Sequence, residues 1–279
     1  MKMPQIRLKR AVAAAIGTAL GLSLLVAQSA SAESRHHCEC RVQPTIVLVH
    51  GAWADGTGWA DVVRRLQAEG YKNVVAPPNP LRGLPGDSTY IASYLKSITG
   101  PIVLVGHSYG GAVITNAATD NPNVKALVYI AAFAPTAGET INSIIARFPG
   151  SQVGPALIPV PFSTGTTSGI DLYLKADQFR NVFLSDFLPQ QEALVMAASQ
   201  RPLTAAAFDD PSGKPAWETI PSWYMVAQQD RTIPPDAERF MAARAHAHTV
   251  EVNAPHLAYA TNPGAVTRLI DTAIDSVFD

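Results

Sequence analysis

Gly106-His107-Ser108-Tyr109-Gly110 sets a serine between two glycines at the spacing of a tight strand-to-helix turn. A serine on such a strained turn has its hydroxyl held out above a sheet as a nucleophile, and side chains at the flanking glycine positions would collide with neighbouring backbone. The hydroxyl is a weak nucleophile alone. It needs a base, and the base needs a carboxylate to fix its tautomer, so the pattern that completes it is serine, then acid, then histidine along the chain.

Asp230 fits the acid position, in Gln228-Gln229-Asp230 after the apolar run that ends at Ala227. Asp209, Asp210 and Asp236 are its rivals, the first two in an irregular stretch and the third in the first turn of a helix, where an acid favours the helix end. Seven histidines compete for the base. His36 and His37 stand near the N-terminus, His50 and His107 adjoin the loops that would shape the site, and His246 and His248 flank a helix end. His256, in Ala254-Pro255-His256-Leu257 just beyond a strand read over Thr249 to Val252, satisfies both chain order and strand-end placement. Acyl transfer further requires two backbone donors for the developing oxyanion. The N–H of Tyr109 follows the nucleophile, and the N–H of Ala52 lies in His50-Gly51-Ala52-Trp53 after the first strand, where Gly51 permits close approach. The set calls for no cofactor and no metal.

These residues are useful only if one framework brings them together. From residue 46 onward, short runs such as Ile46–Val49, Ile102–Val105, Lys125–Ala131 and Ser222–Ala227 alternate with amphipathic stretches. Runs apolar at every position suit strands buried on both faces, and the alternation predicts a parallel sheet wrapped by helices. Val266, Leu269, Ile270, Ala273, Ile274 and Val277 form a continuous stripe on a last helix. The ligand site of such a sheet lies at the carboxyl ends of its strands. Residues 135–219 break the rhythm: rich in Pro, Gly, Ser and Thr, with helical islands at 177–188 and 190–199 but no strand pattern, they read as a cap inserted into one domain. Its aromatics, Phe162, Tyr173, Phe179, Phe183 and Phe187, with Met196, read either as an apolar substrate pocket or as packing of the cap on the sheet.

The N-terminus reads as an address. Lys2, Arg7, Lys9 and Arg10 precede an apolar run from Ala11 to Ala27, and Ala30-Ser31-Ala32 supplies small residues for cleavage. The run is shorter than the roughly 20 apolar residues that span a bilayer. The expectation is a signal peptide over 1–32, a flexible tail over 33–44, an α/β domain over 45–279, and a secreted or periplasmic product with no membrane association after cleavage. That leader holds four of the 21 basic residues and none of the 22 acidic ones, so the remainder is more acidic than the formal −1 of the whole chain. With no basic stripe, nucleic acid is not expected as a partner. Cys38 and Cys40 lie in His36-His37-Cys38-Glu39-Cys40, too tightly spaced for an ordinary zinc loop, and read as part of the tail.

Taken in order, His50-Gly51-Ala52-Trp53 with Gly58-Trp59, Gly106-His107-Ser108-Tyr109-Gly110-Gly111, Asp230-Arg231-Thr232-Ile233-Pro234 and Pro255-His256 resemble the α/β-hydrolase superfamily, in particular its plant methyl esterase and hydroxynitrile lyase branch with bacterial esterase relatives. The resemblance runs from about Thr45 to Asp279. It implies a Ser108–Asp230–His256 triad on a mostly parallel sheet, under a helical cap. Lyases of that branch typically carry threonine after the first histidine and lysine after the catalytic one; Gly51 and Leu257 stand there instead, which favours ester hydrolysis. Tyr109 replaces a common leucine or methionine, and its ring is placed to narrow the acyl side of the pocket. The expected activity is hydrolysis of small to medium, partly apolar carboxylic esters through an acyl-enzyme. The alternatives are acyl transfer or C–C or C–N cleavage by the same triad, or a ligand-binding protein that retains the fold.

Overall fold

The computed structural model describes residues 43–278. The signal peptide expected over 1–32, and Cys38 and Cys40 with most of the tail expected over 33–44, lie outside the described residues.

The first half alternates strand and helix: β1 (Thr45–Val49), α1 (Ala60–Ala68), β2 (Val74–Val75), α2 (Leu84–Lys96), β3 (Ile102–Ser108), α3 (Tyr109–Ala117) and β4 (Val124–Ala132). An irregular segment follows, with α4 (Ile141–Arg147), α5 (Val153–Ala156), β5 (Leu157–Ser163), β6 (Ser168–Leu174), α6 (Ala176–Leu184), α7 (Gln190–Ser199) and β7 (Leu203–Thr204). The alternation resumes with β8 (Ser222–Ala227), α8 (Pro235–Arg244), β9 (His248–Val252), α9 (Ala258–Thr261) and α10 (Pro263–Phe278).

Six strands form the main sheet in the order β2-β1-β3-β4-β8-β9. Every pairing is parallel, with Val47 beside Leu104, Leu104 beside Leu127, and Tyr129 beside Tyr224. Parallel neighbours need crossovers, and helices on both faces bury the strands between them. All seven residues of β3 are buried. On α10 the inward stripe of Val266, Leu269, Ile270, Ala273 and Ile274 is buried. Each Leu or Ile so covered stabilises the layer by about 1.5–3 kcal/mol. On α1 the same logic buries Val62 and Leu66 and leaves Arg64 and Arg65 in solvent. Among the described residues, no helix is long and apolar enough to cross a membrane.

The segment between β4 and β8 differs from the helical cap expected of it. Alongside its helices it carries a three-stranded antiparallel sheet, β5-β6-β7. Two features hide these strands from a periodicity reading. β5 contains Pro159 and Pro161, tolerated because β5 is an edge strand, and it leaves Ile158 and Val160 substantially exposed instead of alternating in and out. The Arg82–Asp171 ion pair, 2.7 Å, ties β6 to the loop before α2.

The carboxyl ends of β1, β3, β8 and β9 converge on one edge of the main sheet. Ser108 ends β3, and the loops that leave β1, β8 and β9 carry Ala52, Asp230 and His256.

Candidate active site

Ser108 is the last residue of β3, and its φ of +53° lies in the left-handed region that a side chain rarely adopts. The surrounding packing holds this strain. A Cβ on Gly110 would stand 2.5 Å from the Val49 carbonyl oxygen, so only glycine lets the first turn of α3 sit against the end of β1. From the other side a Cβ on Gly51 would stand 2.7 Å from the Ser108 Cβ. Ser108 is 2% exposed.

Asp230 and His256 are positioned by two loops tied to each other: the Gln228 N–H donates to the Val252 carbonyl at 2.9 Å and the Gln229 N–H to the Ala254 carbonyl at 3.0 Å. Asp230 Oδ1 accepts from the N–H groups of Thr232 and Ile233, 2.6 and 2.8 Å. Its Oδ2 accepts from His256 Nδ1 at 2.5 Å. That bond puts the ring hydrogen on Nδ1 and leaves the Nε2 lone pair free. Nε2 is buried and makes no hydrogen bond, to Ser108 Oγ or to any other described group. Such bonds commonly tighten only when a substrate is seated. The imidazole is clamped between the rings of His107, 4.7 Å away, and Phe183, 4.9 Å away.

His107, His50 and His248 are engaged in other contacts. His107 Nε2 donates to the His256 carbonyl at 3.0 Å, and burial, with the neighbouring His256, holds its pKa well below the usual imidazole value. His50 Nδ1 donates to the Gly51 carbonyl at 2.9 Å and Nε2 accepts from the Asn79 N–H at 3.0 Å, while burial lowers its pKa. It therefore fixes the loop that presents Ala52. His248 stacks on Trp223, 5.2 Å between centroids, away from Ser108. The rival acids are likewise committed: Asp209 to Asn142 Nδ2, Asp210 to the Leu84 N–H, and Asp236 to Arg239.

A narrow cavity of about 20 Å³ opens onto Ser108. Ala52 and Tyr109 both line it, and Tyr109 begins α3, so its N–H has no intrahelical acceptor. The remaining wall includes Trp53, Phe133, Ile141, Ile145 and Phe208, and no charged side chain among the described residues contributes to it. None of the six aromatic and Met positions that the sequence offered for a pocket lines this cavity. Phe179 and Phe183 are fully buried core, Phe187 is 41% exposed, and Phe179 and Met196 face a separate cleft of about 380 Å³ on the far side of Trp53. The wall comes from α4, from the loops after β1 and β4, and from β7 with the turn that follows it, whose apolar residues look like ordinary core in sequence.

Two buried acids near the site escape a reading by motif. Asp87 accepts from the Tyr109 hydroxyl at 2.7 Å, and Glu238 accepts from the Ala227 N–H at 2.9 Å. Each lies on the apolar stripe of its helix, Asp87 in line with Ile91 and Leu95, and Glu238 with Ala237, Met241 and Ala242. An acid on an otherwise apolar helix face is the signal that marks them.

A parallel sheet with helices on both faces, a serine on a strained turn at the end of a central strand, and an acid and a histidine from two later strand ends define the α/β-hydrolase class. The chain belongs to the alpha/beta hydrolase family, whose model matches residues 46–269. Carbendazim hydrolyzing esterase of a Nocardioides species is 32% identical over 114 residues, which is 36% of this chain and about half, 47%, of that protein. Pyrethroid hydrolase of Sphingobium wenxiniae is 27% identical over 252 residues, 83% of this chain and 88% of that protein. Among solved structures, polyneuridine aldehyde esterase superposes with a TM-score of 0.71 at 18% identity, covering 82% of this chain and 98% of that one. These relatives join plant esterase-like and bacterial esterase members of the family, as the sequence motifs led one to expect.

Proposed function

We propose that the protein is an exported carboxylic-ester hydrolase in which Ser108 is the nucleophile, His256 the general base and Asp230 its orienting carboxylate. The observation that carries this reading is the Asp230–His256 hydrogen bond, which leaves a free, buried Nε2 lone pair on the sheet edge where Ser108 ends β3 on a strained turn. Ser108 Oγ attacks the ester carbonyl carbon as Nε2 takes the hydroxyl proton. The N–H groups of Ala52 and Tyr109 hold the oxyanion. Collapse expels the alcohol, which leaves with the proton from Nε2. Water then attacks the acyl-serine, gives a proton to the same nitrogen, and releases the acid and Ser108.

The uncharged cavity wall supports an apolar acyl group. At about 20 Å³ the space above Ser108 holds little more than one water, so a substrate must displace side chains from the α4 wall to enter. The two curated relatives named above act, by their names, on carbendazim and on pyrethroids, which supports hydrolysis of a small-molecule ester. The basic and apolar leader at residues 1–32 supports export. The test is a fluorophosphonate probe followed by mass spectrometry. The expected result is one adduct, on Ser108, lost in Ser108→Ala; an unlabelled protein that hydrolyses no p-nitrophenyl ester overturns the reading.

A further inference from the structure

Glu238 is fully buried, one helical turn into α8. Its Oε2 is satisfied by the Ala227 N–H at the end of β8. Its Oε1 is buried without receiving a hydrogen bond, yet the side chain lies within hydrogen-bonding reach of the Asp230 carboxyl. Two ionised carboxylates have only acceptors to offer each other and repel at such a distance. The other polar groups facing Glu238 do not relieve this. The Tyr224 hydroxyl, from β8, gives its hydrogen to the Ala132 carbonyl. Arg239, the next residue on the helix, is engaged with Asp236 and Glu251 at the surface. Asp230, in turn, accepts hydrogen bonds from two backbone N–H groups and from His256.

We propose that Glu238 is a positioning residue that stays protonated at neutral pH and donates a hydrogen bond from Oε1 to the Asp230 carboxylate, extending the chain to Glu238–Asp230–His256–Ser108. Burial first, and the adjacent Asp230 charge second, push the Glu238 carboxyl well above the usual range. The bond stops Asp230 from rotating away from Nδ1. It also draws off part of the carboxylate charge, so the shared hydrogen stays on His256 while the imidazole works as a base. The positioning role rests on the hydrolase reading above; the protonation state does not.

Two substitutions separate the possibilities. Glu238→Gln keeps an acceptor for the Ala227 N–H and a donor for Asp230 but cannot ionise. Glu238→Leu keeps the bulk and removes both. A carboxyl protonated in the fold and ionised in the unfolded chain loses stabilising effect as pH rises towards its folded-state pKa. The melting temperature of Glu238→Gln should therefore gain on that of wild type by several degrees between about pH 5 and pH 9. With a p-nitrophenyl ester, Glu238→Gln should stay within about threefold of wild-type kcat, whereas Glu238→Leu should lose about tenfold to a hundredfold with little change in KM, as expected when a reacting group is mispositioned. A melting difference that does not vary with pH, or a Gln variant as slow as the Leu variant, overturns the proposal. The melting series needs no substrate, so it decides the Glu238 proton even if wild type carries no Ser108 adduct, an outcome that would sink the hydrolase reading instead.

Discussion

The Tyr109 hydroxyl donates to Asp87 Oδ2 at 2.7 Å, tying the wall of the cavity above Ser108 to the first turn of α2. Asp87 is itself fixed by the Arg82 N–H, 3.0 and 3.1 Å from its two oxygens. Burial raises its pKa despite those donors. The aromatic ring that follows the nucleophile is thus anchored at its far end, and the cavity has a wall that cannot swing aside without leaving a buried acid one donor short.

Tyr109 should accordingly set the acyl length that the cavity accepts. Tyr109→Phe removes only the anchor, and a lowered stability of about 1–2 kcal/mol with short-ester turnover retained is expected. Tyr109→Ala removes the wall, and the optimum in a p-nitrophenyl series from acetate to decanoate should move to longer chains. An unchanged ranking of kcat/KM in Tyr109→Ala would show that another part of the wall limits the acyl group.

Gly51→Ala should be far more damaging than its one added methyl suggests. That methyl would stand 2.7 Å from the Ser108 Cβ and 2.8 Å from the His107 carbonyl oxygen, neither of which is a flexible chain end. Either the Ala52 loop or the strained turn must move, and a displacement of about 1 Å at reacting groups costs on the order of a hundredfold in rate. Steady-state kinetics with circular dichroism should show a large fall in kcat with the secondary structure intact; a kcat within a few-fold of wild type would refute the close-packing argument.

Ser108 and Asp230 can be picked out in the sequence because each stands at the end of an apolar strand, and His256 because it follows both in chain order and lies just past the strand His248–Val252. What encloses them was not. Ile141, Ile145 and Phe208 look no different in sequence from the core residues Ile91 or Leu95, and only tertiary packing turns them towards a cavity. The strands at 157–163 and 168–174 were missed because an exposed edge with two prolines does not alternate. Phe183 illustrates a subtler limit: the sequence offers it as pocket or packing, and it is packing, but against the His256 ring itself. Asp87 and Glu238 lie as acids on otherwise apolar helix faces, and only the fold names their partners.

Asp230→Asn should separate orientation from charge. The amide oxygen can keep the two backbone bonds from Thr232 and Ile233, so the loop keeps its shape. The amide nitrogen then faces His256 Nδ1 with a donor where an acceptor is needed, which forces the hydrogen onto Nε2 and removes the base. A loss of about 10⁴ in kcat is expected, with melting within a few degrees of wild type. Slow labelling of Ser108 by the fluorophosphonate probe is the direct check, and wild-type labelling speed would remove Asp230 from its proposed role.

Acid should unfold the protein through His107 and His50 before most carboxylates titrate. Both are buried with pKa values below the ordinary 6.5, so in the fold they are neutral, while in the unfolded chain they take up a proton as pH falls below that value. The unfolded state then binds more protons, and stability falls with decreasing pH by about 1.4 kcal/mol per unit for each such histidine until the folded-state pKa is reached. Above pH 6.5 the contribution is complete. His107→Gln retains a donor for the His256 carbonyl without a titrating ring, so its stability should fall less steeply than that of wild type between pH 6.5 and 5. Urea titrations at a series of pH values give the two slopes. Parallel slopes would mean that His107 already holds a proton in the fold, and its hydrogen bond to the His256 carbonyl would then come from a charged ring.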